Sequence, residues 1–73
     1  MNEKMISTTI IETLERDGAL KEDALYKAVK KLHGGLEKGL FEKNLMVMEL
    51  QGLVRVYRIP RGKRKIEIVR RRG

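Results

Sequence analysis

The chain has 73 residues, with 17 Lys and Arg against 10 Asp and Glu, a formal net charge of +7, one His and no Cys. That length holds one domain and one core, and the lack of Cys excludes disulfide scaffolds and thiolate zinc sites. An apolar content of 41% is too high for a disordered tail, while the longest apolar run, Leu45 to Met48, is too short to span a membrane.

Residues 3–16 read as a helix, because Ile6, Ile10 and Leu14 recur at helical spacing while Glu3, Lys4, Glu12, Glu15 and Arg16 face outward. Asp17-Gly18 ends it, with Gly supplying a left-handed cap. Leu20 then anchors the chain to the core. Glu22 and Asp23 open a second helix, where their carboxylates suit its positive end. Leu25, Ala28, Val29 and Leu32 form its expected buried stripe, and Lys27, Lys30 and Lys31 lie outside it. His33-Gly34-Gly35 is a turn.

A third helix is expected from about Glu37 to Gln51, with Phe41, Leu45 and Met48 on one apolar line and Gly52 as terminator. Leu53 to Ile59 is rich in β-branched and aromatic residues and reads as a strand. Pro60-Arg61-Gly62 is a turn, and Lys65 to Arg70 reads as a second strand, antiparallel to the first. The predicted architecture is therefore α+β, three helices followed by a C-terminal β-hairpin. Residues 1–69 form the domain and 70–73 a short basic tail.

The charge is concentrated at one end. Residues 1–53 hold eight basic and nine acidic residues, a net −1. Residues 54–73 hold nine basic residues and one acid, Glu67, a net +8. A one-sided basic segment is the footprint of a polyanionic partner. The candidate contacts are Arg55, Arg58, Arg61, Lys63, Arg64 and Lys65 on the hairpin and Arg70, Arg71 and Arg72 after it. Lys38 and Lys43 on the third helix join them, and Lys27, Lys30 and Lys31 form a weaker second set. Tyr57, among arginines, either packs at the hairpin edge or stacks on an unpaired base.

Nothing points to catalysis. The single His33 sits in a glycine turn, there is no thiol nucleophile, and the carboxylates alternate with lysines on solvated helical faces. No phosphate-binding glycine motif and no oxygen-ligand spacing for a metal is present. No cofactor is expected.

The order helix, helix, short glycine turn, helix, hairpin is that of a helix-turn-helix with an added hairpin. Met48-Glu49-Leu50-Gln51-Gly52-Leu53-Val54 resembles the end of the recognition helix in the winged helix-turn-helix family of bacterial and archaeal DNA-binding domains. Phe41 and Leu45 fall on that family's core positions. Gly18 to Leu25 is similar to its entry into the second helix. The resemblance covers residues 5–69 and implies a hairpin that acts as a wing on DNA. Two features depart from it. Glu37 stands where the family has a small polar cap, and the outward surface of the third helix offers Lys38, Glu42, Lys43, Met46 and Val47, a poor set for reading base edges.

The expected function is a non-enzymatic, double-stranded-DNA-binding regulator or nucleoid-type protein that docks through its basic wing. A second reading is an RNA- or ribosome-associated winged helix. A third is a protein-interaction module, possible homodimers included, using Leu36, Leu40, Met46 and Val47. A cytoplasmic location is expected, since the first residues do not read as a signal peptide. Charged residues at 37%, with one Gln and two Asn, lean toward a thermophile composition.

Overall fold

The computed structural model describes residues 2–70. Its elements are α1 (Glu3–Asp17), β1 (Leu20–Lys21), α2 (Glu22–Leu32), α3 (Lys38–Leu50), β2 (Val54–Ile59) and β3 (Lys63–Ile68). The fold is α+β, three helices and a three-stranded antiparallel sheet in the order β1-β3-β2. Among the described residues, no helix is long and apolar enough to cross a membrane.

The helix ends follow local chemistry. Asn2 caps α1, its side chain accepting from the Lys4 N–H at 2.8 Å. Gly18 closes α1 at φ 80°, donating to the Leu14 carbonyl. α3 starts after Glu37, which makes no side-chain cap bond. It ends in a Schellman motif, with Leu53 N–H donating to Met48 O and Gly52 N–H to Glu49 O. Gly52 adopts φ 76°, a value that other residues rarely adopt.

The core is one cluster. Ile6, Ile10 and Leu14 of α1 meet Leu25 and Val29 of α2 and Phe41, Leu45 and Met48 of α3. Val54 and Ile66 close it from the sheet, and Leu20 packs against its edge as expected. Tyr26 lies 5.1 Å from Phe41, ring centre to ring centre, and donates its hydroxyl to the Leu36 carbonyl at 2.8 Å. Buried polar groups are bonded. Thr13 donates to Thr9 O, and Asn44 reaches from α3 to Glu3 O.

Three expectations need correction. The sheet has a third strand, because Leu20 and Lys21 pair with Ile66 and Lys65; two residues are too few to leave a periodic pattern. Leu32 is 69% exposed and does not belong to the buried stripe. Leu36 is 1% exposed and fills the core instead. The physical reason is the turn after α2. His33 N–H bonds back to Val29 O and Leu36 N–H to His33 O, which folds the chain inward just past Leu32. Leu36 is therefore unavailable as a partner surface.

Candidate nucleic-acid interface

The register of the hairpin sorts its side chains onto two faces, because neighbours along a strand alternate. Val54 pairs with Ile68, Val56 with Ile66 and Arg58 with Arg64, all facing the helices. Arg55 pairs with Glu67, Tyr57 with Lys65 and Ile59 with Lys63 on the opposite face. β1 extends both rows, setting Leu20 beside Ile66 and Lys21 beside Lys65.

The inner face is apolar where it covers the core and turns cationic farther out. There Arg64 bends back to the body. It makes a forked pair with Glu22, Nε to Oε1 at 3.1 Å and Nη2 to Oε2, with Glu42 at 3.9 Å from Nη2. The Glu22 side chain is only 12% exposed. These hydrogen bonds raise the Arg64 pKa above its ordinary value, with attraction to Glu22 and Glu42 adding to them. Arg64 is thus paired with a carboxylate of the body, unlike the other basic residues of the hairpin. Its cross-strand partner Arg58 is exposed and has no ion pair among the described residues.

The turn carries the one non-glycine residue at positive φ among the described residues, Arg61 at φ 70°. Gly62 follows at φ 71°. Pro60 fixes the preceding φ. A left-handed arginine costs on the order of 1 kcal/mol against glycine, so the backbone of this turn favours glycine over the arginine present.

On the outer face, Arg55 donates to the Tyr57 hydroxyl at 3.1 Å, and that hydroxyl donates to Glu67 Oε1 at 2.8 Å. The Arg55 guanidinium also lies 5.9 Å from the Tyr57 ring centre. The hydrogen bond to Tyr57 raises the Arg55 pKa, and Glu67 adds a smaller attraction. Lys21, Lys63 and Lys65 are exposed on this face without ion-pair partners among the described residues. Arg70 is exposed beyond β3. Arg71 and Arg72 lie outside the described residues.

The third helix contributes less. Lys38 stands 3.6 Å from Asp23, an exposed pair of small energetic weight. Lys43 lines a cleft of about 370 Å³ between α3 and the sheet, but Glu42, Glu49 and Met46 share it. Met46 and Val47 are exposed at 56% and 39%, whereas Leu40 is half-buried against the core. Lys30 lies over the Tyr26 ring at 5.6 Å. His33, away from the hairpin, is half-buried with Nε2 at 2.8 Å from the Thr9 hydroxyl. That hydroxyl also lies 3.0 Å from Met5 O.

The sequence pattern does not single out Lys21, because only the strand pairing brings it beside Lys65. No family model, curated protein or solved structure matches the chain.

Proposed function

We propose that the chain is a winged helix-turn-helix module that binds nucleic acid without catalysis, double-stranded DNA in first place, as a small regulator or nucleoid-type protein. The element order, with a hairpin leaving the end of α3 and a short β1 completing its sheet, supports the fold assignment. The observation that carries the function is the segregation of charge. Arg55, Arg58, Arg61, Lys63 and Lys65 gather on one hairpin without ion pairs among the described residues, and Arg61 holds the tip in an unfavourable conformation.

A narrow, cationic hairpin suits the phosphate backbone and the minor groove, where negative potential is enhanced. The exposed surface of α3 suits base reading poorly. Glu42 and Glu49 repel phosphates, and Met46 and Val47 offer no donor or acceptor pattern. The reading is therefore backbone docking with low sequence specificity. Fluorescence anisotropy with a labelled DNA duplex tests it. Tight binding at low salt that Arg61→Ala and Lys63→Ala weaken is expected, and no duplex binding at low salt overturns it.

The exposed apolar row of Met46, Val47 and Leu50 favours a second reading, contact with another protein. Light scattering on the wild type and on Val47→Asp tests that reading through the oligomeric state.

A further inference from the structure

The outer face of the sheet adds an aromatic ring and a third-strand lysine to the cations assigned to duplex docking. Lys21, Lys65 and Tyr57 stand in one row across three strands, one side chain from each. Neighbouring strands are about 4.8 Å apart, so the row spans roughly 10 Å. Tyr57, on the edge strand β2, is 37% exposed beside Lys65 and Arg55. Its hydroxyl is held from two sides by Arg55 and Glu67. The ring is thus oriented before any ligand arrives, which lowers the entropy lost on binding. Glu67, the acid on this face, is held by the Tyr57 hydroxyl, and neither Lys21 nor Lys65 has an ion-pair partner among the described residues.

We infer that this face binds an unpaired nucleotide, with its base stacked on Tyr57 and its phosphates on Lys65 and Lys21. The inference rests on the nucleic-acid reading above and names a further ligand class for the same hairpin. The chemistry selects an unpaired nucleotide over a duplex. Inside a duplex both π-faces of a base are covered by its neighbours, whereas an unpaired base leaves them free for an aromatic side chain. The lysines then supply the charge that tracks the strand. Neither contact reads sequence, so the site tolerates any base.

The protein carries two tyrosines and no tryptophan, so tyrosine emission reports the site directly. Tyr26 is half-buried and bonded to Leu36, which leaves Tyr57 as the responsive ring. The full chain is titrated at low salt with three probes: a single-stranded DNA of about a dozen nucleotides, the RNA of the same sequence, and the corresponding DNA duplex. Single strands are expected to quench the emission. Tyr57→Ala is expected to weaken single-strand binding at least about fivefold, with duplex binding within about twofold and Tyr57→Phe retaining most of the affinity. Equal binding of the two single strands supports a site that sees base and phosphate alone; a preference for RNA supports the same site with an added 2′-hydroxyl contact. Tight duplex binding with single-strand affinity unchanged in Tyr57→Ala overturns the inference and leaves the duplex reading standing. Failure of all three probes to bind overturns both.

Discussion

Lys21 of β1 lies directly opposite Lys65 of β3, two ammonium groups in register on an exposed sheet face. Like charges placed this way destabilise a sheet. The pair is understandable when a polyanion neutralises both. Lys21→Glu sets an opposite charge beside Lys65. It should stabilise the fold by about 0.2–1 kcal/mol and weaken nucleic-acid binding. Urea denaturation and anisotropy titrations on the same variant give the two readouts.

Arg61 separates stability from binding in the same way. Arg61→Gly relieves the left-handed arginine at φ 70°. Unfolding free energy should stay unchanged or rise by up to ~1 kcal/mol. The slope of log K against log salt on duplex DNA should become shallower by about 0.9, the share of one phosphate contact.

Arg64 should behave in the opposite sense. Its forked bond to Glu22 ties β3 to the start of α2. Arg64→Ala leaves a nearly buried carboxylate without its partner. The expected loss is about 1.5–3 kcal/mol in thermal or urea unfolding, with little change in the salt slope of binding.

Two apolar positions, Leu36 before α3 and Val47 within it, divide likewise. Leu36→Ala should cost about 2–5 kcal/mol, because it opens a cavity in the core. Val47→Asp, on the exposed surface, should keep the melting temperature close to wild type. If Val47→Asp unfolds the chain, its surface placement is wrong.

The parts legible in the sequence are those with long-range periodicity. Ile6, Ile10 and Leu14, then Phe41, Leu45 and Met48, mark their helix faces over several turns, and all six are buried. Gly18 and Gly52 mark the helix ends, and both adopt positive φ. The errors fall where the path of the chain decides. Leu32 and Leu36 are both apolar and near one turn, and only the backbone bonds of that turn determine which enters the core. The two-residue β1 has no pattern to read, so the Lys21–Lys65 row stayed hidden. Arg64 resembles its basic neighbours in sequence, and its carboxylate partners lie on α2 and α3, far away along the chain.

The most direct test of the central claim is a salt titration of wild-type binding to a DNA duplex. Five hairpin cations on phosphates predict a slope of log K against log salt of about −4 to −5. A slope near zero, or no binding at low salt, contradicts the account.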